Sequence, residues 1–513
     1  MTTHRRPTAP SALALHLSAA RLPIAAALLL PAVLLLAAGA AAGSPPRHGP
    51  LASPRAATGI TTNGAAAFDR EAIDAVVEQR MEEQRIPGVA VAVVRGEEVL
   101  LAAGYGVADL EHDVPVTPRT MFQSGSVGKM FTAAAVMLLV EDGRLDLDAS
   151  VRRYLPEVPA SWEPITLRHL LTHTSGVPDY TSDTLDYTRQ YTEEDLVRLA
   201  SELELEFPAG SRWNYSNTGY ALLGFVVGRV AERPYWELLR ERLWDPAGIP
   251  TMRVNFAADV VPHRAAGYEL EDEELRNQGW VAPFLNSTAD GSLLMSLEDL
   301  IAWNRVVRRR SVLRPESWGA MLSPVELASG NIYPYGFGWA VTTRGDHRVL
   351  AHGGGWQGFR THFLRFPDED LTVVVLANSA EADAGDIAEA VAAAVDPSLA
   401  PPAPPDTPID DPSPETTAFV AEMLEKAAGP GLELGDFAFV RQTSFPWIRD
   451  ALAERLAGLG TPDRLELLER RQVGDDTVMT YRAVYGERTF RVRAAVAPDG
   501  GLTQLMVRAE ETD

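Results

Sequence analysis

The chain has 513 residues, 46% of them hydrophobic, with 46 Lys plus Arg against 70 Asp plus Glu and a formal net charge of −24. That balance excludes a nucleic-acid binder, which needs basic patches to offset phosphate, and predicts a soluble acidic surface. The absence of cysteine excludes disulfides, thiolate metal sites and a lipidated cysteine anchor, and the ten histidines show no HExxH-type pairing, so no metal or other cofactor is expected.

A chain of this length predicts about three domains and a sizeable core. Residues 1–43 read as a signal peptide or an N-terminal anchor. Arg5, Arg6 and Arg21 precede an apolar stretch from Leu22 to Ala42 that closes on small residues. The expected location is therefore secreted, periplasmic or cell-envelope, with a membrane anchor if the segment stays uncleaved and cell-wall association as a further expectation. Residues 44–66, rich in Pro, Gly, Ala and Ser, read as a flexible linker.

A main domain is predicted over 67–395. A helix from Phe68 to Gln84 carries Ile73, Val76, Val77 and Met81 on one face. Two β-rich runs follow, Val89–Val94 and Val99–Ala102, with Arg95-Gly96-Glu97-Glu98 as a hairpin turn. The run from Lys129 to Glu141 is apolar nearly all round, a buried helix. Residues 144–310 read mostly as helices and loops. Strand character returns at Phe337–Val341, Val349–Ala351, Thr361–Phe366 and Leu371–Ala377, before a helix at Asp386–Val395. Strands at both ends with helices between them imply one sheet closed by distant segments.

Residues 396–415 form a Pro/Asp-rich linker, extended and semi-rigid. The tail, 416–513, reads as a small α+β accessory domain. It has helices near Phe419–Ala428 and Ile448–Leu459 and a meander of Leu465–Gln472, Val478–Tyr485, Thr489–Val496 and Leu502–Ala509. No catalytic constellation is visible in it.

Lysine occurs at only two positions, Lys129 and Lys426, and all other basic residues are Arg. A guanidinium keeps its proton, whereas a desolvated ammonium can release one. One of the two lysines closes Ser126-Val127-Gly128-Lys129. Residues three apart at a helix start share a face, so the amine can reach the serine hydroxyl as a base. Alone, this motif is better read as a helix-capping serine near a charge. Two further elements follow. Tyr215-Ser216-Asn217 offers a hydroxyl for proton relay, with Lys129 as the cation expected to lower its pKa, and an amide for a substrate carbonyl. His352-Gly353-Gly354-Gly355 follows a strand, and its glycines let a substrate backbone approach; the N–H of Gly355 with that of Ser126 would form an oxyanion hole. Alone, the triple glycine is also a bulge or turn.

Taken together, in this order, the three elements resemble the serine β-lactamase and penicillin-binding protein superfamily. The resemblance is to its class C-like branch, which includes D-aminopeptidases, D-Ala-D-Ala carboxypeptidases and esterases. Ile165–Gly176 looks like a signature segment of that branch. The resemblance covers about 68–395. It implies an α+β fold, a β-lactamase-like antiparallel sheet flanked by helices with a large, mostly helical insert. It also implies Ser126 as the acylated nucleophile, Lys129 as base, Tyr215 as proton relay, and Asn217, His352 and Gly353–Gly355 as substrate ligands. His352 stands where the family's Lys-Thr-Gly motif has lysine, which implies weaker grip on a substrate carboxylate and slow or absent β-lactam turnover. No acidic partner for a deacylating water is evident. His169 and His173, four apart, read as structural.

The expected activity is an exported serine hydrolase acting through an acyl-serine on an ester or amide, of peptide or D-amino-acid type. The expected partner is a small-molecule or peptide substrate. The alternatives are a penicillin-binding or sensor protein acylated without efficient turnover, a β-lactamase, or a scaffold whose tail binds a ligand.

Overall fold

The central sheet is built from two parts of the chain that lie far apart in sequence. In a computed structural model describing residues 58–60, 69–181 and 185–510, strands β1 (Thr58–Ile60), β2 (Gly88–Arg95) and β3 (Glu98–Asp109) join β4 (Ala340–Arg344), β5 (His347–Trp356), β6 (Phe359–Phe366) and β7 (Leu371–Ala377). The order is β1-β3-β2-β7-β6-β5-β4, antiparallel throughout, and Val114–Pro115 pairs off the path with β3. β2 and β7 lie at the centre and are buried on both faces, so they read as continuous apolar runs without alternation.

The pleat sends alternate residues to two cores. Val89, Val91, Val93, Val373 and Val375 face one core with Ile73 and Val77 of helix α1 (Arg70–Glu83). Ala90, Ala92, Val374 and Leu376 face the other, larger core, which takes in helix α2 (Lys129–Glu141). Asp69 caps α1 by accepting the Ala72 N–H. Helices α3 (Glu193–Ser201), α4 (Asn217–Ala231) and α5 (Leu297–Arg309) belong to the insert, and α6 (Ala384–Val395) packs beside α1.

The tail contains α7 (Pro414–Ala427), α8 (Phe445–Arg455) and a four-stranded meander: β8 (Arg464–Val473), β9 (Asp476–Tyr485), β10 (Arg488–Val496) and β11 (Leu502–Ala509). It has a core of its own, around Val420, Leu424, Tyr481, Phe490 and Val492.

Three expectations change. Residues 58–60, within the expected linker, pair as an edge strand with Ala102–Gly104. The insert contains short strands as well as helices: Arg253–Val254 and Leu293–Met295 pair with Phe122–Gln123 in a three-stranded sheet. α7 begins at Pro414, inside the expected second linker, because proline is well placed in a first helical turn. The expected targeting segment, residues 1–43, lies outside the described residues. Among the described residues no helix is long and apolar enough to cross a membrane.

Candidate active site

Ser126 lies in a 3₁₀ turn, Gly125–Gly128, that runs directly into α2. The sequence predicts an α-helical start, but the tighter turn serves better, because residues three apart eclipse in it. Ser126 Oγ stands 3.1 Å from Lys129 Nζ. Gly125 holds a positive φ of 48°, and a side chain there would meet the Gly355 nitrogen at 2.4 Å. A Cβ on Gly354 would sit 2.1 Å from Ser124 O and 3.0 Å from Ser126 N. Main chain therefore packs on main chain, with β5 laid against the Gly125–Gly128 turn. The Thr361 hydroxyl of β6 bonds Ser124 O at 2.6 Å and fastens the two together.

Lys129 is fully buried. Besides Ser126 its amine meets Asn217 Oδ1 at 2.8 Å and the Asp290 carbonyl. Both are acceptors only. A neutral amine has two N–H groups and one lone pair, so the two N–H groups go to these oxygens and the lone pair is left for the Ser126 hydroxyl. Asn217 cannot turn over, because its Nδ2 donates to Asp179 Oδ2 at 3.2 Å and to Thr181 Oγ1 at 3.1 Å. Burial pushes the Lys129 pKa down to about 8, against the opposing pull of the Asp290 and Asp179 carboxylates.

Tyr215 is buried, with its ring 4.9 Å from the Lys129 amine and 4.2 Å from the His173 ring. Among the described residues its hydroxyl and Asp290 Oδ1 are buried polar atoms with no hydrogen-bond partner. Burial raises the Tyr215 pKa well above its usual value, and the nearby Ser126 hydroxyl offsets part of that. This phenol keeps its proton, and the expected lowering of its pKa by the Lys129 charge gives way to burial. A buried donor left without a partner costs free energy, and such groups are found where a ligand supplies the partner.

His352 departs from its expected role. Its ring is fully buried, with Nδ1 donating to Gly353 O at 2.6 Å and Nε2 accepting from the Tyr335 hydroxyl at 2.9 Å. Tyr335 in turn accepts from His173 Nε2 at 3.2 Å, and His173 Nδ1 accepts the Ser216 N–H at 3.1 Å. Both rings are thereby fixed as neutral tautomers in one directional chain. Burial, then the Lys129 charge, bring the His352 pKa down to about 3. The ring lies on the Gly354 face of β5, the side of the Ser126 turn, 6.4 Å from the Tyr215 ring, and both its nitrogens are engaged within the protein. Asn217 likewise has both ends of its amide engaged.

The structure brings Ser126, Lys129, Tyr215, Asn217 and the Gly353–Gly355 strand into one place. It adds groups that sequence reasoning missed. Asp179 and Asp290 are the acids near the lysine, Tyr335 links the two histidines, and Arg441 arrives from the tail. Of these, only Asp179 lay in a stretch that a lysine-centred search would reach, since it follows the Ile165–Gly176 segment closely. His169 is structural, its Nδ1 accepting the Thr166 N–H at 3.2 Å in a helix cap. Among the described residues no group of three metal-ligating side chains occurs.

The Beta-lactamase family model matches residues 73–396. Penicillin-binding protein 4* of Bacillus subtilis (strain 168) is 28% identical over 329 residues, 61% of this chain and 72% of that protein. D-aminopeptidase of Gluconobacter oxydans (strain 621H) is 30% identical over 318 residues, 60% of this chain but only 58% of its own length. The octameric penicillin-binding protein homologue from Pyrococcus abyssi superposes with a TM-score of 0.59 at 22% identity, covering 86% of this chain and 100% of that one. That share extends past residue 396, so the likeness of fold includes part of the tail.

Proposed function

The chain belongs to the Beta-lactamase family, and on that premise we propose that it is a serine hydrolase forming an acyl-serine at Ser126. The observation that carries this reading is the Lys129 amine 3.1 Å from Ser126 Oγ with Asn217 Oδ1 and Asp290 O as its other two contacts, so that in the neutral amine the lone pair is left for the Ser126 hydroxyl. Ser126 Oγ attacks a substrate carbonyl while its proton passes to Lys129 Nζ. The N–H groups of Ser126 and Gly355 receive the oxyanion. The Tyr215 hydroxyl protonates the departing amine or alkoxide and regains a proton from the Lys129 ammonium. Water then releases the acyl group, with the same residues acting in reverse.

The substrate is an amide or ester of peptide or D-amino-acid type. This follows the likeness to D-aminopeptidase at 30% identity. It agrees with a site that protonates a poor leaving group through a phenol held protonated. With no free cationic side chain where the family's third motif has lysine, penicillins should be turned over slowly or not at all. Export rests on the N-terminal segment from Arg5 to Ala42.

The test is hydrolysis of p-nitrophenyl butyrate, a D-alanine anilide and nitrocefin by the full chain and by Ser126→Ala. Turnover of the first two that vanishes in the variant supports the reading. Stoichiometric labelling of Ser126 without turnover would replace it with an acylated sensor. Nitrocefin turnover above that of the other two substrates would make the protein a β-lactamase.

A further inference from the structure

Among the described residues, one side chain of the tail, Arg441, reaches the surroundings of Ser126. Arg441 lies between the short turn Leu434–Asp436 and α8. Its Nη2 donates to the carbonyl of Tyr215 itself. Its Nε donates to Glu206 Oε1 at 2.9 Å, and its Nη1 stands 3.6 Å from Asp179 Oδ2. The guanidinium is mostly buried, as are both carboxylates, at 15%, 13% and 3% exposed. Asp179 Oδ2 also accepts from the Asn217 N–H at 3.1 Å and from Asn217 Nδ2. Arg441 thus touches the relay tyrosine directly, and reaches Lys129 through Asp179 and Asn217.

The grip is two-sided. Phe439 packs edge-on against Phe207 at 5.7 Å. On the other side the β8–β9 turn docks on the main domain. Gly474 N–H bonds Ile332 O at 3.0 Å, Asp475 accepts from Asn331 at 2.7 Å, and Asp476 pairs with Arg212 at 3.1 Å. Tyr333, held beneath Gly474, stacks on Trp213 at 4.2 Å. The stretch from Glu206 to Tyr215 is held at both ends by the accessory unit, and among the tail's described residues only Arg441 contacts a residue of the proposed catalytic set.

We propose that the tail is a working part of the hydrolytic site, with Arg441 as a positioning residue that fixes Tyr215 by its carbonyl and fixes Asn217 by its hold on Asp179. The inference rests on the serine-hydrolase reading above. Three acceptors around one planar fork need a guanidinium; an ammonium cannot span them. The charge matters as well. Lys129 faces the Asp290 and Asp179 carboxylates, two tyrosine rings and neutral His173 and His352. Arg441 offsets one of those two acids, together with Glu206.

The experiment uses full-length protein carrying Arg441→Lys, Arg441→Met or Arg441→Ala, with Asp476→Asn as the control that breaks a different ion pair between the domains. On an amide substrate Arg441→Lys and Arg441→Met should lose about tenfold or more in kcat with KM little changed, as expected for sub-ångström misplacement of a reacting group. In Arg441→Met the rising limb of the pH–rate profile should move to higher pH, because the unopposed carboxylates favour the charged lysine, while Arg441→Lys keeps the original midpoint. Added guanidinium should restore part of the rate in Arg441→Ala and leave Asp476→Asn unaffected. A folded Arg441→Lys with native kcat overturns the proposal, as does an Arg441→Met protein with native rate and pH profile. Loss of Ser126-dependent turnover in the native protein would instead overturn the hydrolase reading.

Discussion

Asn217 Oδ1 lies 2.8 Å from Lys129 Nζ, and the other end of the same amide is fixed by Asp179 and Thr181. The asparagine therefore orients the lysine amine. Replacing it by aspartate keeps the shape and adds a charge. Asn217→Asp should raise the Lys129 pKa by about 1–2 units, as an opposite charge at contact distance does. The rising limb of kcat/KM for p-nitrophenyl butyrate should then move upward by that amount. An unchanged profile would show that the amide does not sense the amine's charge.

In the native protein the same measurement should show kcat/KM rising with pH to a midpoint near 8, the value that burial imposes on Lys129. No step should appear between pH 6 and 7, because His352 is neutral down to about 3 and His173 is also pushed well below its usual value by burial. Lys129→Arg should lose about 10³-fold or more in kcat, since a guanidinium cannot take the serine proton. A midpoint below 6 would reassign the base.

Tyr215→Phe separates relay from packing. The ring keeps its contact with His173 at 4.2 Å, and the partnerless hydroxyl is removed. Amide hydrolysis should fall by about 10²–10⁴-fold, the usual range for general acid–base catalysis. Hydrolysis of a p-nitrophenyl ester, whose leaving group needs no proton, should fall far less. The melting temperature should hold or rise. Equal losses on both substrates would remove Tyr215 from the role of acid.

Acid should unfold this protein earlier than its carboxylates alone would. His352 has a folded pKa of about 3 and His362 of about 4, both lowered chiefly by burial. The unfolded chain binds these protons near pH 6.5 and the folded one does not, so stability falls as pH drops through that window. Each histidine contributes about 1.4 kcal/mol per pH unit lost. Urea midpoints at pH 7, 5.5 and 4.5 should decline accordingly, and His362→Gln should flatten the decline. A midpoint independent of pH over this range would contradict the buried neutral state.

Gly354→Ala should damage both fold and site. The new methyl would fall 2.1 Å from Ser124 O and 2.3 Å from Thr361 Oγ1, and relief requires β5 to move off the nucleophile turn. A loss of about 2–3 kcal/mol is expected from overpacking alone, with Ser126 acylation slowed further. Gly353→Ala, whose nearest neighbour would be the His362 ring at 3.4 Å, should be milder.

What sequence could show follows from locality. The Ser126–Lys129 pair is three residues apart, so helical geometry alone relates it. β2 and β7 announce themselves as unbroken apolar runs, and the four tail strands as alternation between turns. Asp179, Asp290 and Arg441 meet Lys129 and Tyr215 only through tertiary contacts, which no periodicity encodes. Strand alternation fixes the face of β5 on which the His352 ring lies; that Gly353 O and the Tyr335 hydroxyl take both its nitrogens is set by tertiary contacts and was not legible. Residues 58–60 lack any strand signature, because three residues of edge pairing are set by the waiting Ala102–Gly104 edge and not by their own side chains.

Val93 pairs with Val373 at the middle of the sheet. The hairpin of β2 and β3 is complete early in synthesis, yet its inner edge stays open until almost the whole main domain has been made. Late, long-range closure slows folding and leaves a hydrophobic strand searching for its mate. Refolding from denaturant should therefore be sluggish and sensitive to protein concentration, and a chaperone that shields Val89–Val94 should raise the yield.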